Sequence, residues 1–404
     1  MALLRKQLSS SNLKSSRTTN IQYSKQHSLP PGTITEFVWK DYSTTIFRSI
    51  QELGNVKYED YMITVSRHET LMELALRGGC GRPFFLPHDD RFVIKTLRKS
   101  EAKLLIEILP AYYDHIKTHE DCLLAKYYGL HATRPGVGGS KVYFVVMENL
   151  LQTDLHIHKQ YDLKGSAQRR SPGKSGRIPR ATLKDTDFDL CFLLHQSTRN
   201  HLLEQIKLDC KFLEEHGIMG YSLLVGIHLD SLPQVSPTSR AATDKKAFRE
   251  FTNEDSVEKP RVDESKQAKS LQVHHHRDPT LADFVLPLNR QEKRFAAKLP
   301  ARAIKVPHHS DLESISVSSG KEEGIPEGSS VYLYLGIIDF LKNYNVIKRI
   351  EHVYKSLQYN AKDIPSVKPQ LYAARFQEFL RQVFLVEGFT PQSEGLFDLS
   401  TAFS

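Results

Sequence analysis

No run of about 18 apolar residues, the length a bilayer-spanning helix needs, occurs in the 404-residue chain. Cysteine is scarce and scattered: Cys80, Cys122, Cys191 and Cys210 form no CxxC pair. That spacing argues against a disulfide framework or a zinc site and fits a reducing compartment. Met1 to Lys6 holds no apolar run of secretory-signal length. Ala2 stands where myristoylation needs a glycine, and the C-terminus carries no Cys box for prenylation. Membrane contact is therefore expected to be peripheral. Acid is missing altogether from residues 1–30, which carry Arg5, Lys6, Lys14, Arg17 and Lys25 among seven serines. Such a tail reads as disordered, suited to an acidic lipid surface or to phospho-regulation.

What is present is ordinary in bulk: 40% apolar, 25% charged, net charge +8. The length allows one large domain or two lobes with sizeable cores. Order is expected from about Thr33. Tyr42, Ile46, Phe47 and Ile50 have helical spacing, and Tyr61 to Val65 reads as a strand. A strand over Arg91–Leu97 precedes a helix over Ser100–Thr118, with Ser100 as N-cap and Pro110 bending or dividing it. Val142–Met147 is an apolar strand, and Glu148-Asn149 reads as a crossover between lobes. Leu155–Tyr161 reads as another strand. A helix over Asn200–His216 ends at Gly217, and Tyr221–His228 is a strand. Residues 231–330 are Ser-, Pro- and Lys/Glu-rich and read as a disordered insert. A buried strand returns at Val331–Asp339, and a last helix runs over Pro369–Val386.

Four segments carry chemistry. Lys95 sits inside the apolar strand Phe92–Leu97. A lysine there either grips nucleotide phosphates or packs its stem and sends its head to water. One strand upstream, Gly78-Gly79-Cys80-Gly81 could bring backbone N–H groups close to phosphates or could be a plain turn. Asp162 and Lys164 alternate onto one face before Gly165. They form either a simple ion pair or the acid and base of a metal and phosphoryl site. Met219-Gly220-Tyr221 closes a helix and opens a strand. Asp339 ends a buried strand, as a magnesium ligand or as a helix N-cap.

Phe92–Leu97, Tyr161–Ser166, Tyr221–His228 and the stretch 337–355 together resemble the catalytic core of phosphatidylinositol phosphate kinases. His158, Arg170 and Lys184-Asp185-Thr186-Asp187-Phe188 extend the match, which runs from about Lys40 to Phe384. The resemblance implies an α+β fold related to protein kinases, with two lobes, an antiparallel-sheet N-lobe and a mixed C-lobe. The chain then divides into a tail (1–32), the N-lobe (33–148), the first part of the C-lobe (149–230), the insert (231–330), the second part of the C-lobe (331–390) and a terminal tail (391–404). The implied cofactors are ATP and Mg2+. By the same resemblance Lys95 holds phosphates with help from Gly79 and Gly81, Asp339 holds magnesium, and Lys164 steadies the γ-phosphate beside Asp162. Met147, Leu150, Leu224 and Ile338 would sandwich adenine. Arg170, Lys348, Arg349, Glu351 and Lys355 would meet the lipid headgroup. Glu351 matches the subfamily that phosphorylates phosphatidylinositol 4-phosphate at the 5-hydroxyl. The implied partners are a phosphoinositide and the anionic cytoplasmic face of the plasma membrane, with a homodimer through the N-lobe as a further option. Nucleic acid is not among them, since the aromatics follow core periodicity instead of interleaving with basic runs.

The chain departs from the pattern at Gly220, where the family places an aspartate that orients or deprotonates the attacking hydroxyl. General-base help contributes ~10²–10⁴ in rate, or roughly 3–5 kcal/mol. The expectation is a slow lipid kinase; the alternative is an impaired pseudokinase that serves as a membrane or partner-binding scaffold.

Overall fold

A computed structural model describes residues 16–22, 36–66, 72–74, 84–87, 90–135, 139–166, 182–230, 294–305, 325–344 and 368–388. The first sheet is antiparallel throughout. Its strands are β1 (Ser16–Gln22), β2 (Glu36–Tyr42), β3 (Met72–Leu74), β4 (Phe84–Leu86), β5 (Phe92–Leu97), β6 (Tyr127–Pro135) and β7 (Val142–Glu148), in the order β1-β2-β6-β7-β5-β4-β3. The second sheet contains β8 (Lys159–Leu163), β9 (Leu190–Leu194), β10 (Ser222–Leu229), β11 (Leu299–Lys305), β12 (Ser330–Ile338) and β13 (Phe384–Val386), in the order β13-β9-β11-β12-β10-β8. Here β13 pairs with β9 in parallel, whereas the β9–β11, β11–β12, β12–β10 and β10–β8 pairs are antiparallel. An antiparallel first lobe and a mixed second lobe are what the resemblance implied.

Helices cover both sheets: α1 (Thr44–Leu53), α2 (Tyr58–Ser66), α3 (Lys99–Thr118), α4 (Gln196–Glu215) and α5 (Pro369–Val383). α3 buries Leu104, Leu105, Ile108, Leu109 and Tyr112. The connection from α3 to β6 joins the lobes. Ala125 N donates to the Ile337 carbonyl (2.9 Å), and Ile337 N donates to the Leu123 carbonyl (2.7 Å). Buried Asp209 of α4 holds the same connection. It accepts from Leu123 N (2.8 Å), Cys122 Sγ (3.3 Å) and Gln205 Nε2 (3.0 Å), and it bonds His115 Nε2 (2.7 Å). His115, Cys122 and Asp209 bring ligand-type atoms within 4.8 Å of one another. Four groups converge on one carboxylate, so the arrangement is a cage for an anion, and it anchors the strand that ends at Asp339. Among the described residues no helix is long and apolar enough to cross a membrane.

Several expectations are corrected. Tyr61–Val65 is helix, within α2, and not strand. Its β-branched and aromatic residues suggested alternation, but Tyr61 and Thr64 are buried while Met62 and Ile63 are exposed, which is a helical spacing. Tertiary contact selects this spacing: the Tyr61 hydroxyl meets His131 Nε2 at 2.6 Å, and His131 Nδ1 meets Asp41 at 2.7 Å. The N-cap of α3 is Arg98 and not Ser100, because the Glu101 carboxylate folds back to accept the Arg98 N–H (2.6 Å). Pro110 does not divide α3. The strand expected at Leu155–Tyr161 begins later, at Lys159, where pairing with Ile227 starts, and it takes in Asp162 and Leu163. Part of the basic tail, Ser16–Gln22, pairs with β2 as an edge strand. Part of the insert, Leu299–Lys305, is the strand between β9 and β12. Its burial is confined to Leu299 and Ala303, so its hydrophobic signal is faint. The last helix stops at Val383, and the chain then turns into β13.

At the start of β8, His158 packs with His156 and His228, and its Nδ1 accepts the Leu229 N–H (3.1 Å). Burial, followed by the neighbouring His156 and His228, pushes its pKa down from 6.5 to about 4. The unfolded chain therefore takes up a proton near pH 6.5 that the folded chain refuses until about pH 4. The stability contributed by the neutral ring is complete above the first value and is lost as pH falls toward the second. Urea midpoints measured between these limits should fall with pH, and His158→Asn, which keeps an acceptor for Leu229, should flatten that slope. An unchanged slope in the variant would remove His158 from the account.

Candidate active site

β5 carries Lys95 opposite Val145 of β7. Met147, two residues along β7, shares that face. The Lys95 side chain is only 7% exposed, and its ammonium lies 5.1 Å from the Phe84 ring centre. A buried ammonium is costly without a counter-charge. The counter-charge comes from the other sheet. β12 ends at Ile338, and Asp339 adopts φ 64°, a left-handed backbone uncommon outside glycine, although aspartate is among the residues that tolerate it. Its Oδ1 forms a short hydrogen-bonded ion pair with Lys95 Nζ. Burial pushes the Asp339 carboxyl up, but Lys95 and then Lys164 outweigh it, so its pKa lies below the ordinary value of 3.8. Asp339 caps no helix among the described residues.

Asp162 lies on β8 opposite Leu224, and Leu224 lies opposite Gly336 of β12. Asp162, Leu224 and Ile338 therefore share one face of the second sheet. Leu150 joins them: a Cβ on Gly336 would stand 2.5 Å from Leu150 Cδ1. Met147 and Leu150 are buried, and Leu224 and Ile338 are half-buried. The four residues expected to flank a base thus come from β7, the segment just after β7, and β10 and β12 of the second sheet.

Asp162 and Lys164 each have a partner from elsewhere in the chain. Asp162 Oδ2 bonds Lys184 Nζ (2.5 Å), and Lys164 Nζ donates to the Gly220 carbonyl (2.6 Å). The turn after β8 is set by Asp185, which is fully buried. Its Oδ1 accepts from Lys164 N (2.7 Å) and Gly165 N (2.9 Å). Gly165 is required twice over: its φ is 65°, and a Cβ there would lie 2.8 Å from Phe379 Cβ. In the sequence, Lys184 and Asp185 extend the family match without an assigned role. The mixed charges inside Leu183–Phe188 were the available signal.

Gly220 has φ 77°, and an added Cβ would meet only Lys342 Cδ, at 3.5 Å. Space for a side chain exists, but the backbone is left-handed, a conformation that aspartate and asparagine tolerate better than most residues. The turn is held from the segment after Asp339. Met219 N donates to the Lys342 carbonyl (3.0 Å), and Tyr344 N donates to the Gly217 carbonyl (2.9 Å). Gly79, Gly81, Arg170, Lys348, Arg349, Glu351 and Lys355 lie outside the described residues.

A cationic strand in one lobe facing a carboxylate at the end of a strand in the other defines the class, a two-lobed kinase-type domain. The family model described as phosphatidylinositol-4-phosphate 5-kinase matches residues 65–383. Phosphatidylinositol 4-phosphate 5-kinase 10 of Arabidopsis thaliana is 37% identical, over 94% of this chain and 98% of that protein. Putative phosphatidylinositol 4-phosphate 5-kinase 11 of the same plant is 38% identical, over 92% and 97%. Phosphatidylinositol 4-phosphate 5-kinase 1 of Oryza sativa subsp. japonica is 37% identical over 88% of this chain, which covers 47% of that protein. The chain belongs to the phosphatidylinositol 4-phosphate 5-kinase family.

Removing the Asp185 carboxylate leaves two backbone N–H groups without their acceptor. Asp185→Ala should cost about 2–6 kcal/mol, given roughly 1–3 kcal/mol for each of the two unsatisfied groups, as measured by urea unfolding. A loss below about 0.5 kcal/mol, the level of an ordinary surface change, would mean that something else holds the turn.

Proposed function

We propose that this protein transfers the γ-phosphoryl group of ATP to the 5-hydroxyl of phosphatidylinositol 4-phosphate, giving phosphatidylinositol 4,5-bisphosphate. The observation that carries this reading is the Lys95–Asp339 pair, with the cations Lys164 and Lys184 beside it. The names of the relatives support the substrate. Magnesium binds through one or two carboxylates plus substrate phosphates, and Asp339 is an ionised oxygen ligand of that kind, so the residues present fit the metal. When bound, the metal neutralises charge on the phosphate oxygens.

The protein's part is positioning and charge matching. Each cation already has a partner within the protein: Lys95 in Asp339, Lys184 in Asp162, and Lys164 in a carbonyl. With MgATP bound, Lys95 would hold phosphate oxygens, Asp339 would hold the metal, and Lys164 would meet the transferring phosphoryl group. Met147, Leu150, Leu224 and Ile338 form apolar walls for adenine, with Gly79 and Gly81 assigned to the phosphates. Arg170, Lys348, Arg349, Glu351 and Lys355 are assigned to the headgroup, at a peripheral site on the anionic cytoplasmic face of the plasma membrane. The net charge of +8 supports that surface. With glycine at 220, no side chain there takes the hydroxyl proton. Asp162, on the same sheet face as the adenine wall, is the carboxylate assigned to it.

Purified protein on anionic vesicles containing phosphatidylinositol 4-phosphate should label the lipid from radiolabelled ATP, and Asp339→Ala should abolish the labelling. Gly220→Asp should raise the rate by about 10² or more, the lower range of general-base help. No product from either the wild type or Gly220→Asp would sink the kinase reading. Vesicle binding unaffected by Asp339→Ala would then favour the scaffold.

A further inference from the structure

Glu148 is a carboxylate buried where β7 leaves the first sheet, with its side chain only 8% exposed. Two cations meet it: Lys126 Nζ lies 3.8 Å from Oε2, and Arg294 Nη1 lies 3.6 Å from Oε1. Burial pushes the Glu148 carboxyl up, but Lys126 and then Arg294 more than offset it and hold the group ionised below its ordinary range. Arg294 also has a second partner. Its Nη2 donates to the Leu335 carbonyl of β12, four residues before Asp339. A Cβ on Gly336 would come 2.7 Å from that same nitrogen and 2.5 Å from Leu150 Cδ1. The guanidinium therefore lies along β12 where Leu150 also packs. Its own backbone is fastened there too, since Ala297 N donates to the Arg294 carbonyl and Leu335 N to the Ala296 carbonyl, both at 2.9 Å.

We propose that Arg294 is a positioning residue for the nucleotide: its guanidinium ties the end of β7 to β12 and so fixes where Leu150, Lys95 and Asp339 stand relative to one another. The inference rests on the kinase reading above. Glu148 faces Phe92 across the β5–β7 ladder, so a shift at Glu148 reaches Lys95 three residues along β5. Leu335 passes the same shift along β12 to Asp339. The role needs the fork of an arginine. Lysine neutralises Glu148, but its single ammonium serves the carboxylate and the Leu335 carbonyl less well at once. Methionine fills the volume and leaves Glu148 to Lys126 alone.

The test uses the full chain carrying R294M, R294K or E148Q. It reads MgATP affinity by calorimetry, KM and kcat by turnover, melting temperature, and hydrogen exchange of residues 148–151 without ligand. R294M should weaken MgATP binding and raise KM for ATP about tenfold, while kcat at saturating ATP stays within about threefold, the pattern of lost binding without lost chemistry. R294K should recover part of the affinity. E148Q combined with R294M should cost less than the sum of the two changes. Amides 148–151 should exchange faster in R294M while those of α4 do not. Unchanged ATP affinity in a folded R294M protein would overturn the proposal. So would a general loss, in ATP, lipid and kcat alike, that lysine does not rescue. If the wild type neither binds nor consumes ATP, the kinase reading fails, and exchange alone then decides the clamp: faster exchange at 148–151 supports it, and unchanged exchange overturns it.

Discussion

The Lys95–Asp339 ion pair joins residues 244 positions apart, and much of the architecture serves to keep it possible. A buried ammonium and a buried carboxylate are each costly alone, and they become acceptable only when brought together. That requires one strand from each sheet to meet at a fixed distance. The connection after α3 provides the common edge through its bonds to Ile337, and Asp209 holds that connection in place. Asp339 takes a left-handed backbone, a conformation of the kind that collects at functional sites.

Around this pair the site is built from turns, each held by an outside group. Asp185 holds the turn at Gly165, and the segment after Asp339 holds the turn at Gly220. The cations Lys95, Lys164 and Lys184 rest on protein oxygens. Phosphoryl transfer asks mainly for such preorganised positive charge. Gly220 contributes no side chain to this frame, and its carbonyl accepts from Lys164.

The site was legible in the sequence wherever a charged residue broke an apolar strand. Lys95, Asp162 and Asp339 stood out because their neighbours are Val, Ile, Leu and Tyr. The long helices and most strands were legible for a related reason, since a periodic apolar face is written into local order. The contacts of Lys184, Asp185 and Arg294 were not legible. These residues lie in polar stretches, and only their contacts distinguish them from solvated charges. β11 and β1 escaped for the same reason, because a strand that buries two residues, or lies at a sheet edge, leaves little alternation to read. Tyr61–Val65 failed differently: its composition favours a strand, and its packing against His131 favours a helix.

The sequence by itself determined the long helices, the apolar strands, the lysine and carboxylates that interrupt them and the glycine at 220, because each is a matter of which side chain sits in which local pattern. The two classes of sheet were implied by the family resemblance. The tertiary structure decided the pairing. It sent Asp162 to Lys184 and Lys164 to a backbone carbonyl, and it set Arg294 between Glu148 and β12. Charges choose partners by distance in space, and in this protein those distances are set by how two sheets meet.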